Sequence, residues 1–396
     1  MRKIFLNACA FAILFLLTSC SASNVDKPDS VNNTPPSQTL SKAEQLLNRM
    51  TLEEKIGQLF IIRPESLDFS LTAEQISSSK DYGITEADSQ IMESLKQYPI
   101  GGIVIFQKNI LSPAQLTDFI NEMNQQSKTP LFVSIDEEGG PVSRIANSKG
   151  FDVTTYESME SIGQTGEREN AQQVGFTIGS YLKKYGFNVD FAPVADVNTN
   201  PENVVIGNRS FGSDPALVAK MVTAEIDGLH EAGIMSCVKH FPGHGDTKGD
   251  THRGFVSMEK TWEELKECEL IPFIKASKQT DMVMISHITV PNITADGLPS
   301  SLSSEMIEGK LRKELAYNGV VITDSMAMGA IAQEYTSSEG AVKAILAGAD
   351  IVLMPENFAE AYHGVYDAVK AGTISEKRVD ESVLRILSLK EKYDLL

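Results

Sequence analysis

From residue 239 to residue 252 the chain reads Lys239-His240-Phe241-Pro242-Gly243-His244-Gly245-Asp246-Thr247-Lys248-Gly249-Asp250-Thr251-His252. Three of its six histidines fall in this stretch, with the carboxylates of Asp246 and Asp250. The apolar run Ile234 to Val238 comes directly before it and reads as a short buried strand, so polar side chains are delivered at a strand end. Gly243, Gly245 and Gly249 then leave the following loop free to bend.

Three chemistries suit these residues. In the plainest, His240 and His244 are satisfied polar groups bracing a turn. In the second, imidazoles and carboxylates hold a metal ion. Pro242 and Gly243 lie between the two histidines, however, so the pair cannot share one helical face as the helix-borne zinc motif requires. In the third, Asp250 orients the His252 imidazole two residues on and makes it an acid/base on a mobile loop. The third is favoured, with no metal and no cofactor expected.

Such a loop needs a scaffold, and the sequence offers one. Eight short apolar runs alternate with amphipathic stretches: Gln58 to Ile62, Gly102 to Phe106, Leu131 to Ile135, Val189 to Val194, Met235 to Val238, Met282 to Ile285, Val320 to Thr323 and Ile351 to Met354. This alternation predicts an α/β fold, a single (β/α)8 TIM-type barrel, with a doubly wound open sheet as the alternative. Polar residues follow each run: Arg63, Gln107-Lys108, Asp136-Glu137-Glu138, Asp196, Lys239-His240, Ser286-His287, Asp324-Ser325 and Pro355-Glu356. In a barrel these strand ends converge on one mouth, so residues scattered along the chain can share a pocket. Asp324 stands out, because an acid ending a buried strand is costly unless paired or functional. Asp136 and Asp196 also have a purely structural reading, as strand-end acids accepting backbone N–H groups, and Arg209 one as the partner of an acidic loop. At the far end, Ser375 can cap a helix whose Val379, Val383, Ile386 and Leu387 form an apolar stripe.

The N-terminus is of another kind. Arg2 and Lys3 precede an apolar run from Ile4 to Leu17, which predicts an export signal over residues 1–20. Leu17-Thr18-Ser19-Cys20 resembles a bacterial lipobox, which would leave Cys20 as a lipid-bearing terminus on a protein held outside the cytoplasm at the membrane; an ordinary secretory signal is the alternative. Residues 21–40 are poor in large apolar side chains and read as a tether. The folded domain is expected over residues 41–396, opening on a capping box of Ser41 and Glu44. Beyond Cys9 and Cys20 only Cys237 and Cys268 remain, so no disulfide framework is indicated. The net charge of −18 disfavours nucleic acid as a partner. A monomer is expected.

Taken together, these stretches resemble glycoside hydrolase family 3, in particular its β-N-acetylglucosaminidases. The resemblance is carried by residues 239–252 and by Leu52-Glu53-Glu54-Lys55-Ile56-Gly57-Gln58, Asp136-Glu137-Glu138-Gly139-Gly140, the run Asn188 to Asn200, Ile206-Gly207-Asn208-Arg209-Ser210-Phe211-Gly212 and Val321-Ile322-Thr323-Asp324-Ser325-Met326. It implies a retaining exo-hydrolase of terminal β-linked N-acetylglucosamine, drawn from peptidoglycan fragments. Asp324 would be the nucleophile and His252 the acid/base, supported by Asp250. Asp136, Arg144, Arg209, Lys239, His240 and His287 would hold the sugar. Pro141 stands where the family often has Arg, and the presence of Asp250-Thr251-His252 in the barrel itself favours the N-acetylglucosaminidase branch over glucosidases and xylosidases. A β-glucosidase or β-xylosidase, a metal-dependent hydrolase and a non-catalytic sugar-binding lipoprotein are the alternatives. The glycines of the loop lead one to expect His252 withdrawn from Asp324 until substrate closes the site.

Overall fold

The apolar runs emerge as strands in a computed structural model that describes residues 40–78 and 83–396. The expected export signal, the lipobox with Cys20 and the tether up to residue 39 lie outside the described residues. Eight parallel strands form the barrel: β1 (Phe60–Ile62), β2 (Gly102–Ile105), β3 (Phe132–Ile135), β4 (Val189–Asp190), β5 (Met235–Phe241), β6 (Met282–Ile285), β7 (Val320–Thr323) and β8 (Val352–Leu353). They pair in chain order, β8 pairs with β1, and a parallel bridge from Ile322 to Ile351 joins β7 to β8 and closes the ring. Closure excludes the open doubly wound sheet.

The departures from the expected strand limits have local causes. Gln58 ends the helix Leu52–Gln58 instead of starting β1, and its buried amide donates to the carbonyls of Pro99 (3.0 Å) and Ile100 (3.3 Å). β4 stops early on the approach to Pro193, which has no N–H for a ladder, and pairing resumes as a single bridge from Val194 to Lys239. β5 runs on to Phe241, because the backbone of Lys239 pairs with Pro193 and Ala195 and that of Phe241 with Ser286, while His240 between them gives its N–H to the Asp196 carboxylate. Helix starts follow the sequence. Ser41 with Glu44, Thr51 with Glu54 and Thr336 with Glu339 each make a reciprocal capping box.

The final helix, Glu376–Lys392, is capped by Ser375 and buries Val379, Val383, Ile386 and Leu387 as its stripe predicts. It also straps the end of the barrel from which the strands start. Arg385 reaches Asp350 (2.9 Å), Lys392 and Tyr393 reach Asp281 (2.6 and 2.7 Å), and Glu391 accepts the backbone N–H groups of Lys42 and Ala43 (3.0 Å each).

Lys390, fully buried on the same helix, donates to Gln58 Oε1 (2.7 Å) and the Gly101 carbonyl (3.0 Å), with its Nζ 4.8 Å from the centre of the Phe132 ring. Burial pulls this amine down from its ordinary 10.5 to about 7. Between those two values the unfolded chain holds a proton that the folded chain has released, so Lys390 makes the fold more stable as pH rises and less stable as pH falls. Lys390→Met removes that dependence. The variant should gain on the wild type at or below pH 7 and lose its advantage by about 1.4 kcal/mol per pH unit as alkaline pH is approached. Urea unfolding of both proteins across the range checks this, and a constant difference would show that Lys390 keeps its proton in the fold.

Candidate active site

At the end of β3 the chain alternates direction, so Asp136 and Glu138 face the barrel mouth while Glu137 turns away. The Glu137 carboxylate accepts the N–H groups of Arg144, Ile145 (2.8 Å) and Ala146 (2.9 Å) and the Tyr181 hydroxyl (2.8 Å). It thereby fixes the ribbon of Glu137–Gly139 and Val142–Ser143 that leads to Arg144. Gly139 and Gly140 make its turn at φ +85° and +70°, a region open to glycine, and Pro141 sits exposed at the tip.

Arg144 lies 3.4 Å from Asp136, and Lys239 Nζ sits between the two acids, 2.7 Å from Asp136 and 2.5 Å from Glu138. Arg209 grips Glu138 with two parallel bonds (Nε 2.8 Å, Nη2 2.7 Å). Two carboxylates thus stand among three cations at a site where Lys239 is only 2% exposed. Burial alone would push the Asp136 and Glu138 carboxyls up. The neighbouring cations outweigh it, Lys239 then Arg144 for Asp136 and Arg209 then Lys239 for Glu138, and both stay below the ordinary carboxylate range. Burial likewise opposes the charge on Lys239, and Asp136 and Glu138 reverse that, so the amine holds its proton more firmly than usual.

The next layer is built on Asp196, which follows β4. Its carboxylate accepts the N–H groups of His240 (3.2 Å) and His244 (2.6 Å), as the structural reading anticipated, and also faces His240 Nδ1 at 2.7 Å. A carboxylate partner assigns the hydrogen to Nδ1 and leaves Nε2 without a protein partner among the described residues. His240 follows Lys239 directly, yet both line the same cavity; the β5 register against β6 shifts between Val238 and Phe241. That irregularity re-aims side chains which a regular strand would send to opposite faces. His244 in turn points its Nδ1 to the Thr247 hydroxyl (2.7 Å).

Asp324 ends β7, and its carboxylate accepts the Ser325 N–H at 2.7 Å. Burial would raise it, but the imidazoles of His240 and His287 nearby and the Ser325 N–H keep it below its ordinary value, ready as an anion. His287 needs correcting as a sugar contact. Its ring is fully buried, with Nδ1 2.7 Å from the Ser301 hydroxyl and Nε2 2.9 Å from the Ser325 carbonyl. Both nitrogens being engaged, it holds the backbone beside Asp324 instead of reaching the cavity.

Asp250 and His252 pair as the spacing suggests, Oδ1 to Nδ1 at 2.8 Å, with the His252 side chain 65% exposed. Burial opposes the Asp250 charge, and the His252 backbone N–H and ring together outweigh it and hold the carboxyl below its ordinary value. His252 and Asp324 line one cavity of about 200 Å³ together with Asp136, Glu138, Arg144, Arg209, Lys239, His240 and His244. The carbonyls of Thr251 and His252 accept the N–H groups of Ala330 (3.1 Å) and Gly329 (3.3 Å), which docks the loop. Glu138 and His244 line the cavity although the family resemblance assigns neither of them a role there. The i, i+2 spacing of Asp136 and Glu138 was the signal that could have placed Glu138.

The model of the glycosyl hydrolase family 3 N terminal domain matches residues 51–389. The chain belongs to that family. Family 3 relatives include the β-hexosaminidase A of Pseudoalteromonas piscicida, 33% identical over 338 residues that cover 78% of this chain and 56% of that protein. The β-hexosaminidase LpqI of Mycobacterium tuberculosis is 34% identical over 317 residues, covering 77% of this chain and 78% of that one. Among solved structures, a family 3 β-N-acetylglucosaminidase from Paenibacillus sp. str. FPU-7 superposes with a TM-score of 0.79 at 38% identity, covering 87% of this chain and 63% of that one. The chain therefore spans little more than half the length of the first of these relatives and under two thirds of the Paenibacillus chain.

Proposed function

We propose that the protein is an exo-acting, retaining β-N-acetylglucosaminidase that removes terminal β-linked N-acetylglucosamine, with peptidoglycan fragments as its substrates. The observation that carries this reading is the single cavity shared by a buried, ionised Asp324, the Asp250–His252 pair and the charged group around Lys239. Asp324 attacks the anomeric carbon as the glycosidic bond breaks, and the aglycone oxygen takes a proton from His252. In the second half, His252 draws a proton from water, which attacks the same carbon and frees Asp324. A histidine serves here in place of the more usual second carboxylate because Asp250 fixes its tautomer and favours the imidazolium that donates. Asp136, Arg144, Lys239 and His240 bind the sugar hydroxyls, and Arg209 acts through Glu138. The names of the relatives support this activity.

A panel of aryl β-glycosides, with and without chelator, tests the reading. Turnover of the N-acetylglucosaminide well above the glucoside and xyloside, unaffected by chelator, is expected. Preference for glucoside or xyloside moves the protein to the neighbouring branch, loss of activity in chelator supports a metal-dependent hydrolase, and binding without turnover leaves a sugar-binding protein.

The same proposal places the mature, monomeric protein outside the cytoplasm, anchored through lipid on Cys20. A doubly or triply acylated cysteine anchors firmly where one chain binds only marginally. Cys20→Ser should therefore shift the protein from the membrane to the soluble fraction. Equal partitioning of the two on fractionation would reject the anchor.

A further inference from the structure

The loop that bears His252 rests on the segment that follows Asp324. Thr251 and His252 give their carbonyls to the N–H groups of Ala330 and Gly329, at the start of the short helix Gly329–Ala332. Thr251 is buried, unlike His252, and its hydroxyl faces His244 Nε2 across a long 3.5 Å contact. His244 is suited to accept there, because burial lowers its basicity and its Nδ1 already faces the Thr247 hydroxyl. The fit at Gly329 is close. A methyl group added there would stand 2.8 Å from the His252 carbonyl oxygen and 3.2 Å from the Arg253 carbonyl carbon, both backbone atoms that cannot swing aside. Gly329 does not have a left-handed φ, so its own backbone does not require glycine. The absent side chain serves the neighbouring loop.

We propose that Gly329, with Thr251, is a docking point that positions His252 over the cavity, so that the acid is presented only while its loop is seated on the segment carrying Asp324. The proposal rests on the reading of His252 as the acid/base. Gly329 lies outside the cavity lining and is a positioning residue, whereas Thr251 lines the cavity beside His252 and enters the dock through its carbonyl and its contact with His244.

Gly329→Ala tests this role by pushing the His252 carbonyl off its seat, and a Tm close to that of wild type shows that the barrel folds without the dock. The readout is kcat/KM, which reports the first, glycosylating step. With a 2,4-dinitrophenyl N-acetyl-β-glucosaminide, whose leaving group needs no proton, the variant should stay within about threefold of wild type; with a β-linked disaccharide it should fall about 10- to 100-fold, part of the usual worth of general acid catalysis. Equal losses on both substrates, or none on either, overturn the proposal. If Gly329→Ala does not fold, Thr251→Val against Thr251→Ser decides: selective loss on the disaccharide in the valine variant alone upholds the dock, and matching rates overturn it. His252→Ala is run alongside. Should it leave the leaving-group dependence of wild type intact, the reading of His252 fails and the dock with it; should it change that dependence while Gly329→Ala does not, only the dock fails.

Discussion

Asp324→Ala is expected to lower turnover by at least about 10⁴-fold on every glycoside, activated or not, as removal of a covalent nucleophile does elsewhere. The geometry gives the reason. Asp324 is an anion at a buried strand end, held by the Ser325 N–H and facing histidines, and among the described residues no other carboxylate lining the cavity is free to replace it. Asp136 and Glu138 are both bound to Lys239. Alanine also leaves a space beside the anomeric carbon that a small anion can enter. Azide should restore part of the activity on an aryl substrate, and the product should be the α-glycosyl azide, formed by attack from the face where Asp324 stood. Recovery of the β-azide, or undiminished turnover, would move the nucleophile to another residue.

His252→Ala should cost on the order of 10²–10⁴ in the first step for a sugar leaving group and much less for an aryloxide that departs unprotonated. Asp250→Asn should fall between the two, since the imidazole stays but loses the carboxylate at 2.8 Å that orients it and supports its charge. The measurement is the slope of the glycosylation rate against leaving-group pKa. It should steepen in His252→Ala. An unchanged slope assigns the proton to some other group.

The barrel was legible because each strand is a short apolar run ended by polar residues, and that pattern survives whatever the loops do. Asp250 and His252 were legible because two residues of spacing is a local relation. The ion network was not, since Arg209 and Glu138 meet across 71 positions of chain, and nothing in Ile206-Gly207-Asn208-Arg209 says which acid it will find. Polarity also misled. Lys239 and His240 read as the end of a strand, yet β5 continues past them to Phe241 because Asp136 and Glu138 satisfy the Lys239 side chain and Asp196 takes both the ring and the backbone N–H of His240. His287 illustrates the opposite error. Its position after β6 pointed to the cavity, whereas its two nitrogens are spent on Ser301 and Ser325, a geometry that depends on the loop 286–301 folding back.

The strap formed by Glu376–Lys392 bears on the order of events during synthesis. The groups it satisfies belong to the first described helix and to several strands: Glu391 binds the start of that helix, Lys390 the approaches to β1 and β2, Lys392 the approach to β6 and Arg385 the approach to β8. A growing polypeptide has none of these contacts until residues 376–392 have left the ribosome. Until then the approaches to β1, β2, β6 and β8 lack the groups that this helix brings, and the floor of the barrel is complete only once the helix has docked.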